Sequence, residues 1–144
     1  MPYSTLDDIK KLLPEDTLIT LTDDEGLGQV DTARVDEAIA QADSEIDSYC
    51  GGRYSVPVSP APAILKKLSV DIAIYTLYSR IVQEMPEIRT ERYKTALKQL
   101  DGIARGTISL GVAAAPDPAD QGSGAETNLD NDSQTFTRDK LEGF

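Results

Sequence analysis

The sequence predicts a mainly α-helical fold: a small bundle of about four helices with one or two short strands and an extended carboxyl-terminal tail. Three observations predict it. Long segments repeat apolar residues every three or four positions, which is the period of a helix with one buried face. Proline or glycine stands at the ends of these segments. A shorter segment near residue 108 alternates apolar and polar residues, as a strand does. The 144 residues suffice for one domain with a buried core.

The first predicted helix begins after Ser4 or Thr5, either of which can cap it, and ends before Pro14. Segment 16–22, DTLITLT, is rich in β-branched residues. Such a composition favours extended backbone, so we expect a short strand or an extended linker there.

The second helix covers residues 33–49 and is the element around which the rest of the chain is arranged. Its apolar residues form one stripe, and Gly51 and Gly52 follow at its end. Glycine can take the left-handed backbone angles of a helix cap, so this pair predicts a sharp turn. Arg53 and Tyr54 leave that turn as a docking element or, as we favour, a geometric joint.

The third helix, residues 63–82, is the most apolar of the chain and follows a proline-rich connector. We expect it to be central to the bundle or buried by other copies of the protein. Asp71 lies within its apolar sequence, and a buried charge requires a partner. The candidates are Arg53, Arg34 and Arg92, of which we favour Arg53; the alternative is that Asp71 faces solvent.

The final helix covers residues 87–104, and the pattern then changes. Ile108, Leu110 and Val112 alternate with small or polar residues, which predicts a strand of about six residues. Because a single strand is not stable alone, it must pair with residues 18–21, with residues 56–58 or with a neighbouring subunit.

The chain divides into a helical domain, residues 1–112, and a tail, residues 113–144. The tail begins as an acidic, apolar-poor linker that is expected to be flexible in an isolated monomer. Its last ten residues resemble a short docking motif, with four candidate contact residues: Phe136, Arg138, Leu141 and Phe144.

The net charge of −11 disfavours non-specific nucleic-acid binding and an anionic membrane as a partner. The chain has no histidine, so a carboxylate-only site is the remaining route to catalysis. Asp36, Asp43 and Asp47 lie on one side of the second helix, and the last two could share a hard cation. A solvated acidic face is the simpler interpretation, and we predict no catalytic site, metal or cofactor.

The tyrosines, among them Tyr75 and Tyr93, have helical core spacing or lie next to the turn. We interpret them as anchors of the core or of a subunit interface, with the hydroxyl group at the edge.

Several motifs together resemble one family. They are AxxxADSEIDSY at 38–49, GRYSVPV at 52–58, DIAIYTLY at 71–78, RYKTALKQLDGIARGTISLG at 92–111 and the closing FTRDKLEGF. This combination resembles the phage Mu-type small head-tail connector proteins of long-tailed phages and Mu-like prophages. The resemblance covers nearly the whole chain.

The resemblance implies an all-α connector that forms a ring, dodecameric in this family, below the portal. The ring would complete the head and join it to the tail. The implied partners are further copies of the chain, the portal protein and a tail-terminator or other neck protein, with DNA passing through the lumen unbound. The implied location is the neck of the virion, after synthesis in the host cytoplasm. The alternative is a small carboxylate-dependent metalloenzyme or a regulatory protein-binding domain. The candidate structural and interface residues are Asp47, Arg53, Tyr54, Asp71, Tyr75, Arg92, Tyr93, Ile108, Leu110, Phe136, Arg138, Leu141 and Phe144.

Overall fold

A computed structural model describes residues 1–81 and 84–116, and this part of the chain forms five α-helices. Within these residues there is no strand, so the mainly helical prediction is confirmed and the predicted strands are wrong. The helices are α1 (Leu6–Lys10), α2 (Glu15–Thr22), α3 (Thr32–Cys50), α4 (Ala63–Ser79) and α5 (Glu87–Arg105).

Helices α3, α4 and α5 pack against one another, and α1 and α2 lie against α3 and α4. Helix α4 is buried around most of its circumference, as the sequence predicts for a central helix. Its fully buried side chains include Leu65, Leu68, Ile72, Ile74 and Leu77. Each such side chain contributes about 1.5–3 kcal/mol through burial, so α4 is the main source of core stability.

Segment 15–22 is helix α2, where the sequence predicts a strand or a linker. Leu18 and Leu21 are completely buried, three positions apart on one helix face. The Thr22 hydroxyl donates to the Leu18 carbonyl oxygen (2.8 Å), an interaction by which threonine is accommodated in a helix. Arg80 Nη1 also donates to the Leu21 carbonyl oxygen (2.8 Å). Burial against the core therefore outweighs the weak β propensity of the segment.

Residues 107–116 do not form the predicted strand, although the alternation is real. Leu110 is buried and Ile108 is half-buried, while Thr107, Ser109 and Gly111 are exposed. The backbone hydrogen bonds, however, do not join the segment to one neighbouring strand. The N–H of Ile108 donates to the Gly102 carbonyl oxygen (3.0 Å), and the N–H of Ala115 donates to the Arg53 carbonyl oxygen (2.9 Å). The segment is irregular and returns to the end of α3.

The left-handed cap is at the end of α5 and not at the end of α3. Gly51 has right-handed angles (φ −62°), and Gly52 is not among the glycines with positive φ. Gly106, by contrast, has φ +81° and ends α5. The guanidinium group of Arg53 occupies the space that a Cβ at Gly106 would take. The turn after α3 and the end of α5 are therefore in direct contact.

Replacing Gly106 by alanine is expected to lower the free energy of unfolding by about 1–2 kcal/mol, because alanine resists the left-handed conformation. The displaced Arg53 side chain is exposed and can move aside at little cost. Gly52→Ala is the matched control, since Gly52 is exposed and has no atom within 4 Å of an added Cβ. Urea unfolding of the two variants measures the difference, and equal losses would contradict the prediction.

The linker and its predicted docking residues Phe136, Arg138, Leu141 and Phe144 lie outside the described residues.

Candidate functional site

Asp71 is buried between α4 and α5, and its partners are two cations at the surface. Its side chain is 1% exposed; Oδ2 lies 3.2 Å from Lys67 Nζ, and Oδ1 lies 3.6 Å from Arg92 Nη1. The favoured pairing with Arg53 is therefore wrong, and so is the solvent-facing alternative, while Arg92 is one of the candidates named from the sequence. Asp71 Oδ1 makes no hydrogen bond within the described part of the chain. The charge of a carboxylate buried in this way must be compensated by nearby cations, here Lys67 and Arg92.

Tyr75 and Tyr93 stack next to this ion cluster. Their ring centroids are 3.9 Å apart and the planes differ by 4°, which joins α4 to α5. The Tyr93 hydroxyl donates to Glu45 Oε1 on α3 (3.2 Å). Burial, together with the negative charge of Glu45, raises the pKa of Tyr93 to about 12, so its hydroxyl stays protonated and can donate. Both tyrosines are half-buried and lie at the edge of the core, where the sequence predicted that they would act as anchors.

Tyr54 is buried, so it is not available as a docking side chain. Its hydroxyl oxygen accepts the Leu110 backbone N–H (3.2 Å), and the neighbouring Arg53 carbonyl accepts that of Ala115. Residues 53–54 therefore fix the segment after α5 against the end of α3. This is a joint, as the sequence suggests, but it joins α3 to the end of α5 and not to Asp71.

A partly buried hydrogen-bond network at the amino-terminal end was not predicted from the sequence. The Tyr3 hydroxyl donates to Asp47 Oδ1 and accepts the Val58 backbone N–H (2.8 Å). The backbone N–H of Tyr3 and the hydroxyl of Ser69 both donate to Asp43 (3.1 and 2.8 Å). Asp43 and Asp47 are visible in the sequence as a pair one turn apart, but their partners are distant along the chain and no local pattern identifies them.

The electrostatics of this network come from burial and from repulsion between its acids. Burial raises the pKa of Asp43, hydrogen bonds from Ser69 and Tyr3 oppose the rise, and Asp47 adds to it. Burial and the bond to Asp47 also raise the pKa of Tyr3 well above its usual range. Within residues 1–81 and 84–116, no group of three or more metal-ligating side chains is present. The geometry therefore gives the Asp43–Asp47 pair a structural role in binding Tyr3 and Ser69.

Asp8 is a second buried acid, and two lysines compensate its charge. Lys66 Nζ and Lys11 Nζ lie 2.9 and 3.0 Å from its Oδ1, and its other oxygen caps α1 through Thr5. Hydrogen bonds from Lys66, Lys11 and Thr5 hold the pKa of Asp8 well below its usual range. Asp8 thereby ties α1 to α4.

This depressed pKa makes the contribution of Asp8 to stability dependent on pH. Above the unfolded-state pKa of about 4 the contribution is complete, and it is lost as the pH falls toward the native pKa, because the unfolded state binds the proton first. We expect Asp8→Asn to destabilise the protein by the same amount at pH 7 and pH 5, and to cost progressively less as the pH falls from about 4 toward 2. Urea unfolding of both proteins at each pH measures this, and a pH-independent difference would contradict it.

A groove runs between the first residues of the chain and α3, with a volume of about 640 Å³. Met1, Leu6 and Ile39 contribute apolar surface, and Asp36, Asp43 and Asp47 contribute carboxylates. We call it the amino-terminal groove. No Lys or Arg forms an ion pair with these three acids within the described part of the chain.

The described residues thus form a small all-helical domain in which few buried side-chain polar atoms, among them Asp71 Oδ1, lack a hydrogen-bond partner. No helix among them is long and apolar enough to span a membrane. A family model described as Bacteriophage Mu, Gp36 matches residues 3–128. The chain belongs to this phage Mu-type family, as the sequence motifs indicate.

Two relatives are similar over most of their length. The Mu-like prophage FluMu protein gp36 of Haemophilus influenzae is 30% identical over 115 residues, which cover 80% of this chain and 78% of the relative. Gene product J of Escherichia phage Mu is 28% identical over an alignment of 149 positions, covering all of this chain and 99% of the relative. The family supports a phage structural protein, with a structural rather than a catalytic role.

Proposed function

We propose that the protein is a head-tail connector of a long-tailed phage or prophage. It forms a ring below the portal, completes the head and presents a surface to the tail. The observation that supports this best is the family match over residues 3–128, together with the motifs that resemble Mu-type connectors. In this role the protein is located in the neck of the virion, and its partners are other copies of itself, the portal protein and a further neck or tail-terminator protein.

Two properties of the protein suit this role. The three long helices form a closed core in which the ionic and aromatic clusters tie α3, α4 and α5 together, so the subunit can transmit load as one body. The net charge of −11 would also keep DNA from adhering to a lumen through which it passes. The alternative, a carboxylate-dependent metalloenzyme, has less support, because Asp43 and Asp47 accept hydrogen bonds from Tyr3 and Ser69 and belong to no group of three metal-ligating side chains among residues 1–81 and 84–116.

The test is assembly with the portal protein. Mass photometry and electron microscopy of the chain, alone and with portal, are expected to show a ring of chains on the portal. A lack of association under all conditions would contradict the proposal.

Substitution of an exposed aliphatic residue gives a more specific test of the subunit interface. Ile88 on α5 is 56% exposed, and a charge there would weaken an interface that covers it. We expect Ile88→Glu to reduce ring formation while Thr95→Glu, an exposed position on the same helix, retains it. Equal assembly of both variants would show that the amino-terminal end of α5 is not part of the interface.

A further inference from the structure

The amino-terminal groove combines apolar surface with acids that have no cationic side chain to balance them among residues 1–81 and 84–116. Asp8, Asp24 and Asp71 are each paired with lysine or arginine. Asp43 and Asp47 instead repel one another, and the pKa of Asp43 is raised, although the amino terminus partly offsets this. A ligand that brings a positive charge and apolar side chains into the groove would relieve the repulsion and cover the exposed apolar surface.

The end of the chain has this chemistry. Residues 117–134 carry five acids and no base, whereas residues 135–144, TFTRDKLEGF, hold both basic residues of the last 28 positions, Arg138 and Lys140. Three large apolar residues accompany them: Phe136, Leu141 and Phe144. Asp139 and Glu142 balance the charge of the segment, so Arg138 and Lys140 provide local rather than net positive charge.

The covalent connection permits this segment to reach the groove of its own chain. The Ala115 N–H is bonded to the Arg53 carbonyl oxygen (2.9 Å), which fixes the point from which the remaining residues depart. Pro57 lines the groove and is four residues from Arg53, so their Cα atoms are at most about 14 Å apart. The intervening residues 117–134 can extend up to about 60 Å, and a random coil of this length spans about 24 Å on average.

From these observations we propose that residues 135–144 bind in the amino-terminal groove of their own chain. The apolar side chains cover Met1, Pro2 and Leu6, and Arg138 or Lys140 lies against the carboxylates of Asp36, Asp43 and Asp47. A short tether gives the segment a millimolar effective concentration, which exceeds that of a neighbouring molecule in dilute solution. The contact does not depend on the proposed connector role.

The test compares the full chain with a chain that ends at Gln134, which retains every described residue. Amide correlation spectra are expected to differ at groove residues such as Leu6 and Ile39 and to agree around Asp71. A synthetic peptide of residues 135–144 added to the truncated chain should restore the shifts, and circular dichroism should show equal helicity. Spectra that agree at the groove, or that differ only elsewhere, would overturn the proposal.

Two substitutions on the exposed side of α3 provide a matched pair. Ala40 lines the groove, and Ala40→Arg would fill it and neutralise its acids; Gln41 is exposed beside it but does not line the groove. We expect Ala40→Arg to weaken binding of the peptide about tenfold or more and Gln41→Arg to leave it within about twofold. Equal affinities would overturn the proposal. Shifts in the full chain that vanish on dilution would show a contact between two copies and would overturn it as well.

Discussion

Replacing both Lys67 and Arg92 by alanine is expected to lower the free energy of unfolding by about 3 kcal/mol. Asp71, with a side chain 1% exposed, would then have no cationic partner within residues 1–81 and 84–116. Breaking a buried ion pair from one side costs about 3–5 kcal/mol. We take the lower end because Lys67 and Arg92 are themselves 58% and 43% exposed and their attraction is screened. Urea unfolding at neutral pH measures the loss.

The same two substitutions in an Asp71→Leu background identify the cause. With no charge to compensate, the loss should fall below about 0.5 kcal/mol, and Asp71→Leu alone should be near neutral because a buried ion pair often contributes little net stability. Arg53→Ala should be additive with Asp71→Leu, since Arg53 contacts Gly106 instead. An undiminished loss in the Asp71→Leu background would show that Lys67 and Arg92 act independently of the carboxylate.

Tyr3→Phe is expected to destabilise the protein by about 2–3 kcal/mol with little change in packing. The lost hydroxyl accepts the buried Val58 N–H and donates to Asp47. An unsatisfied buried donor alone costs about 1–3 kcal/mol. Amide hydrogen exchange at Val58 should accelerate, which gives a local readout beside the global loss measured in urea.

Tyr75→Phe is the matched control for this prediction. It also removes one hydroxyl from a tyrosine, but within the described residues that hydroxyl makes no hydrogen bond, and the ring can still stack on Tyr93. Its effect should stay within about 0.5 kcal/mol. Comparable losses for the two variants would mean that Tyr3 stabilises the protein through its ring and not through the network.

Local patterns predicted the long helices well. Helix α3 begins at Thr32, within one residue of the predicted start, with Asp31 accepting the backbone N–H of Ala33, and its buried face runs from Val35 to Cys50. The sequence also predicted that α4 is either central to the bundle or buried by other copies, and its burial within the chain confirms the first. These features depend on residues within a few positions of one another, so period and capping residues are sufficient to predict them.

Predictions that required a partner from elsewhere in the chain were less successful. The prediction for helix α2 was wrong because it was based on the β-branched composition of the segment alone. The helix is stabilised by burial against α3 and α4, which the local sequence does not show. Leu110 was expected to pair in a strand, but its N–H donates to Tyr54. An unpaired backbone N–H needs some acceptor, and the sequence does not say that this acceptor is a side chain 56 positions away.

The sequence by itself determined the helical class, the unusual apolarity of the third predicted helix, the position of the acid Asp71 within that helix and the resemblance to the phage family. Only the tertiary structure decided that Lys67 and Arg92 form ion pairs with Asp71. It also decided that the Arg53 guanidinium group lies against Gly106, and that the Tyr3 hydroxyl forms hydrogen bonds with Asp47 and Val58. The physical reason is that helical periodicity results from neighbouring residues. Ion pairs and buried hydrogen bonds instead join groups that become neighbours only when the helices pack.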